Sequence, residues 1–166
     1  MPTLDEASFA RCYRRVFPIV LAKCGRMLRG DAEAKDVAQE VFIRLWQHRE
    51  LVEDHQSLTA WLYRTSTRLV IDRARRRAFG RESLGHLQAV LEGRAEADSE
   101  SLLASREQLQ GVLSACPAAE LEAAILNRVD RLSHPEVAEV LGVSERTVRR
   151  LLARFDDHVR LLKESA

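Results

Sequence analysis

Ser133-His-Pro-Glu-Val-Ala-Glu-Val-Leu-Gly-Val-Ser-Glu-Arg-Thr-Val-Arg-Arg-Leu-Leu-Ala-Arg-Phe155 carries two short amphipathic periods separated by a glycine. Ser133 with Glu136 three residues on is a capping box: the hydroxyl meets a first-turn amide and the carboxylate reaches back to the cap. Val137, Ala138, Val140 and Leu141 supply the apolar side of the helix that follows. Gly142 ends that helix, because glycine enters the left-handed backbone region without cost, and Ser144 caps the next one. There Val148, Leu151, Leu152 and Phe155 recur at helical steps and turn inward, so Glu145, Arg146, Arg149, Arg150 and Arg154 project outward. A helix, a glycine turn and a second helix with outward arginines form a helix-turn-helix, whose second helix reads the DNA major groove. Arginine forks fit guanine edges, while Ser144, Thr147 and the helix N-terminus suit phosphate. Taken alone, the arginines also fit a solvated basic face on a bundle helix. The capping box and Gly142 at their spacing weigh against that reading.

Upstream of this motif, Leu109, Val112 and Leu113 end a helix before Pro117, which starts another from Ala118 to Val129. Between Gly80 and about Ser105 the apolar period is lost, and Glu92 to Glu100 is rich in acids. This stretch reads as a flexible linker. Before it lie three helices. The first, from about Leu4 to Leu28, carries Phe9, Cys12, Val16, Val20 and Cys24 and is expected to kink or divide at Pro18. Gly30-Asp31 stops it, with Asp31 expected to cap a helix from 32 to about 48 whose stripe is Val37, Val41 and Leu45, widened by Ala38, Phe42 and Trp46. A third starts near Ser57 or Thr59, with Leu62, Leu69 and Val70 on its core side. The expected fold is all-α: two small helical domains, 1–79 and 106–166, with separate cores, joined by the acidic linker 80–105.

The net charge of +1 over 166 residues hides strong segregation. Residues 61–81 hold seven arginines against the single acid Asp72, whereas 82–107 hold six acids and two arginines. Binding follows the local field, so a basic stripe and a second basic end imply two contact sites. Trp61-Leu-Tyr-Arg-Thr-Ser-Thr-Arg68, followed by Asp72-Arg-Ala-Arg-Arg-Arg77, mixes rings with positive charge, a combination that tracks phosphates and stacks on unpaired bases. Trp61 alone would read as a core residue; seven neighbouring arginines favour a nucleic-acid surface.

Several classes are excluded. The longest apolar stretch, Val16 to Ala22, is broken by Pro18 and far short of the roughly 20 residues that span a bilayer. With no basic leader or h-region at the start, the chain is expected in the cytoplasm, without direct membrane insertion. Cys12, Cys24 and Cys116 form no CxxC pair, and His48, His55, His86, His134 and His158 sit at no recognised ligand spacing. The thiols are therefore read as buried, with no metal and no cofactor. An enzyme is the poorest reading: there is no Gly-rich phosphate loop, nucleophile elbow or pair of carboxylates at metal-binding spacing.

Asp31-Ala-Glu-Ala-Lys-Asp-Val-Ala-Gln-Glu-Val-Phe-Ile-Arg-Leu-Trp46, then Leu58-Thr-Ala-Trp-Leu-Tyr-Arg64 through Asp72-Arg-Ala-Arg-Arg-Arg77, resemble region 2 of an extracytoplasmic-function sigma factor, and residues 112–155 resemble its region 4. The resemblance covers about three quarters of the chain, in the family's order. It implies a dissociable, non-enzymatic subunit of bacterial RNA polymerase core that directs it to promoter DNA. By position, Asp36, Gln39, Glu40, Phe42, Arg44 and Trp46 match the helix that docks on polymerase, although Val41, Leu45 and Trp46 also read as core. Ser57, Leu58, Trp61, Arg64, Arg68, Arg73, Arg75 and Arg76 match the minus-10 DNA surface, within which His55 to Ala60 match a loop that captures a flipped base. Ser144, Arg146, Thr147, Arg149, Arg150 and Arg154 match the minus-35 reader. Arg68, where many members have Asn, resembles the iron-uptake subgroup. Phe155-Asp-Asp-His158 replaces the usual basic tail, which weakens the expected phosphate grip. A built-in regulatory extension of the kind some members carry is not expected, so control is expected from an anti-sigma partner. The alternative reading is a polymerase-independent helix-turn-helix regulator, expected to dimerise on a palindrome; a helical adaptor acting only through protein contacts is the third.

Overall fold

The computed structural model describes residues 4–28, 30–51, 55–79 and 111–164, and every regular element among them is helical. The expected linker, 80–105, lies outside these residues. Helix α1 spans Glu6–Met27, capped by Asp5, whose side chain accepts from the Ser8 amide at 2.7 Å. It runs through Pro18 without dividing. Pro18 and Arg14, one turn earlier, are both exposed, so the carbonyl that loses its donor faces water rather than the core. Helix α2 spans Asp31–Gln47, and its cap is Gly30 rather than the expected Asp31, which stands with Glu33 in the first turn where acids meet the positive helix end. A single 3-10 turn, Arg49–Leu51, leads on, and α3 spans His55–Phe79, beginning slightly earlier than its sequence suggests.

Residues 111–115 are helical, and α4 follows over Ala118–Ala124 behind Pro117. The expected run to Val129 is completed by a wider π-helical turn, Ile125–Val129. Arg131 then takes a left-handed φ of 58°, while the Asn127 amide donates to the Leu132 carbonyl at 2.9 Å and closes the corner. Helix α5 spans His134–Leu141 and ends on Gly142 at φ 67°; α6 spans Glu145–Glu164.

The two units do not keep separate cores. Buried residues from Val20 and Leu45 in the first to Leu126 and Phe155 in the second belong to one hydrophobic cluster. The reason lies in α3, where Leu58, Leu62, Ser66, Thr67, Leu69, Val70, Ile71 and Ala74 are all buried, an arc too wide for one neighbour to cover. One side packs on α1 and α2, and the other on α4, the π turn and α5. That second packing sets the position of three candidate functional arginines on α3, Arg64, Arg68 and Arg75.

Candidate nucleic-acid interface

In the second unit the helix-turn-helix forms as its sequence demands. The Glu136 carboxylate accepts from the Ser133 amide at 2.7 Å and from its hydroxyl at 2.6 Å, completing the capping box. Ser144 accepts from the Thr147 amide at 3.2 Å and so fixes the first turn of α6. Val148, Leu152 and Phe155 are buried, while Ser144, Arg146, Arg149, Arg150 and Arg154 are exposed and Thr147 is half-buried. Arg149 stands 3.7 Å from Glu145 one turn back, an exposed pair that costs little to exchange for a base edge. The outward face of α6 is therefore a continuous basic strip beginning at a helix N-terminus.

The arginines of α3 are placed differently. Arg64 donates through Nε to the Val140 carbonyl at 2.8 Å and through a second nitrogen to the same oxygen, near the C-terminal end of α5. Arg68 pairs with Glu122 at 2.8 Å. Arg75 donates to the carbonyls of Leu113 and Cys116, at 3.2 and 3.1 Å. Arg73 lies 3.9 Å from Glu33, and Arg76 is exposed, bonded to the Asp72 carbonyl. Trp61 is half-buried against the core cluster. Leu58, expected on the DNA surface, is a core residue at 5% exposure, because it continues the α3 stripe through Leu62. Ser57 falls in the first turn of α3, and its side chain lies outside the described residues.

Beneath these contacts sits a buried ion pair between Lys23 of α1 and Asp130, the residue after the π turn, with side chains 4% and 1% exposed. Lys23 also donates to the Thr67 hydroxyl at 2.9 Å and lies over the Tyr63 ring. Burial pushes the Lys23 ammonium down from its ordinary range, and the Asp130 carboxylate opposes that shift. Nothing in the spacing of Lys23 and Asp130 marked them as partners. Three interdomain contacts, those of Arg64, Arg68 and Arg75, thus use guanidinium groups that the sequence assigns to DNA.

On the far side of the first unit, Phe9, Tyr13, Gln39, Phe42, Ile43 and Trp46 line a groove of about 550 Å³. The rings of Phe9 and Trp46 meet edge to face at 5.0 Å, as do those of Tyr13 and Phe42. Phe42 is 2% exposed and forms the floor rather than the rim, whereas Trp46, read as core, is 37% exposed at the rim with Ile43 at 52%. Asp36 and Gln39 are exposed, and Glu40 pairs with Arg44 at 2.8 Å. Sequence reasoning missed Ile43, Phe9 and Tyr13, since the last two come from α1 and only helix packing brings them beside α2.

The sigma-70 region 2 family matches residues 12–79 and the sigma-70 region 4 family matches residues 106–154. The chain is 30% identical over 166 residues to the ECF RNA polymerase sigma factor SigW of Bacillus subtilis, covering 94% of this chain and 89% of that protein. It is 30% identical over 142 residues to the ferric citrate uptake sigma factor FecI of Escherichia coli, covering 83% and 80%. In fold it is similar to the sigma factor RpoE of Bartonella quintana, solved in complex with the anti-sigma factor NepR, with a TM-score of 0.50, 17% identity and coverage of 94% and 96%.

Proposed function

The chain belongs to the extracytoplasmic-function RNA polymerase sigma factors, and from that premise we propose a division of labour among its three surfaces. It binds core polymerase, recognises minus-35 and minus-10 promoter elements and helps to open promoter DNA, leaving phosphodiester chemistry to the polymerase. The aromatic groove between α1 and α2, with Asp36, Gln39, Glu40, Arg44 and Trp46 around it, docks on polymerase. The outer face of α6, with Arg146, Thr147, Arg149, Arg150 and Arg154, reads the minus-35 element in the major groove. Trp61, Arg64, Arg68, Arg73, Arg75 and Arg76 serve the minus-10 strand, where rings and guanidinium groups hold bases taken from the stack. The observation that carries this reading is the presence in one chain of an exposed basic reading helix and a second, arginine-rich helix.

Residues 1–79 and 106–166 act as the two domains and 80–105 as their connector. Its acidic charge imitates nucleic acid as the chain passes towards the polymerase active site. The chain works in the cytoplasm, where polymerase and promoter are; no helix among the described residues is long and apolar enough to cross a membrane. An anti-sigma factor is its regulatory partner, as NepR is the partner of the Bartonella relative. Arg68 and the likeness to FecI support a place near the iron-uptake subgroup.

Run-off transcription by core polymerase, on duplex and on template already mismatched across minus-10, tests the assignment. The chain should support both. A Trp61→Ala, Arg64→Ala, Arg68→Ala variant should still bind core and still recruit it to duplex, but initiate mainly on the mismatched template, whose unstacking cost is already met. Equal defects on both templates would remove the opening role. Dimeric binding to a palindrome without polymerase would favour a conventional regulator.

A further inference from the structure

Cys116, Glu120 and His158 bring a sulfur, a carboxylate oxygen and an imidazole nitrogen within 4.8 Å of one another. Cys116 stands just before Pro117, Glu120 lies in the first turn of α4, and His158 comes from the C-terminal half of α6. The thiol and the carboxylate are buried, at 2% and 3% exposure, and His158 Nδ1 closes the group at 2.8 Å from Glu120 Oε2, its side chain 36% exposed. The three donors therefore converge from the turn ahead of α4, from α4 itself and from α6, with one side open to solvent through the histidine. The Arg75 guanidinium holds the Cys116 carbonyl at 3.1 Å, which fixes the backbone that aims the sulfur.

We propose that these three side chains form a binding site for a zinc-class divalent metal ion, held by Cys116 Sγ, a Glu120 carboxylate oxygen and His158 Nδ1, with water in the fourth position. The donor set selects the ion. A thiolate and an imidazole suit borderline ions such as Zn(II), Co(II) and Ni(II), whereas Ca(II) and Mg(II) take oxygen ligands. Charge also balances, since a dication neutralises one thiolate and one carboxylate. Burial pushes the thiol up to about 11, with Glu120 adding to the shift and Arg75 opposing it. The ion therefore displaces that proton: a metal–sulfur bond forms, the S–H bond breaks, and the proton leaves to water with no change of oxidation state. Tetrahedral coordination at roughly 2.0–2.3 Å places donors about 3.3–3.7 Å apart. The His158–Glu120 distance must widen by roughly half an ångström to reach that spacing, a shift open to a partly exposed side chain. The site clamps the segment ahead of α4 to the half of α6 remote from the reading arginines.

The test uses the tag-free full chain, reduced and kept under nitrogen, titrated with Co(II) as a spectroscopic probe and then with Zn(II). One equivalent of Co(II) should give a sulfur-to-cobalt charge-transfer band in the near ultraviolet, with visible bands of tetrahedral intensity. Zn(II) should abolish both and raise the melting temperature. Cys116→Ser should remove the charge-transfer band and the thermal shift. His158→Gln, at a partly exposed position, should keep the fold by circular dichroism and weaken Co(II) binding at least tenfold. Mg(II) should do nothing. Absence of the band in the reduced wild-type chain would overturn the site. So would its survival in Cys116→Ser, or undiminished affinity in His158→Gln.

Discussion

Arg149 and Arg150 lie on the outer face of α6 while Val148, between Thr147 and Arg149, is fully buried, so at this register chemistry and stability are carried by different side chains. Arg149→Ala and Arg150→Ala should each weaken minus-35 binding by roughly 1–3 kcal/mol if the side chain contacts a base edge. Their melting temperatures should stay at the wild-type value. Gel-shift titration against a minus-35 duplex, run beside thermal denaturation, reads both quantities. Loss of binding and of stability together would make these arginines structural. Such outward residues were legible from sequence because their inward neighbours follow the helical period. Leu58 was misjudged as a surface residue because its own stripe already placed it inside, whereas Phe42 reaches the groove as its floor.

At the scale of the element, α5 depends on its capping box. Hydrogen bonds from the Ser133 hydroxyl and then from its backbone N–H hold the Glu136 carboxyl below the ordinary glutamate range. A carboxyl depressed in the folded state adds stability that is fully present above its unfolded value and lost as pH falls through the folded one. Ser133→Ala removes the cap, and helix N-caps of this type contribute about 1 kcal/mol. Urea denaturation at neutral pH should therefore detect a destabilised variant. The gap to wild type should narrow as the solution is made acidic, where Glu136 protonates first in the unfolded and then in the folded chain. The box, the left-handed Gly142 and the Ser144 cap follow local rules, and all three were readable in the sequence. Pro18 was not, because its effect depended on which side of α1 faced water.

The whole molecule is closed by contacts that join its two units: Lys23 to Asp130, Arg64 to Val140, Arg68 to Glu122 and Arg75 to two carbonyls. Removing one member of a buried pair costs about 3–5 kcal/mol when the other stays buried. Lys23→Met leaves Asp130 only its longer pair with the exposed Arg26, at 3.5 Å, and should therefore part the units. Small-angle scattering should report a larger radius of gyration, and circular dichroism an unchanged helicity. Lys23→Met with Asp130→Leu should restore compactness. Arg64 and Arg68, released from the second unit, should bind a single-stranded minus-10 oligonucleotide more tightly in the single variant, and the gain should shrink as salt is raised. An unchanged radius in the single variant would show that the remaining contacts hold the units together.

By itself, the sequence determined the helices, the helix-turn-helix and the charged faces, because each rests on residues three or four apart whose caps and apolar periods act locally. Tertiary structure alone decided that α3 is shared by both units, since the width of its buried arc matters only once neighbours surround it. It likewise made partners of Lys23 and Asp130, 107 residues apart, and of Glu120 and His158, 38 apart. Cys116 and Glu120 are one helical turn apart in the chain, but a metal-sized cluster needs the histidine, and only the packing of α6 on α4 supplies it. Ion pairs and ligand clusters of this kind depend on distances in space between side chains that no sequence period relates.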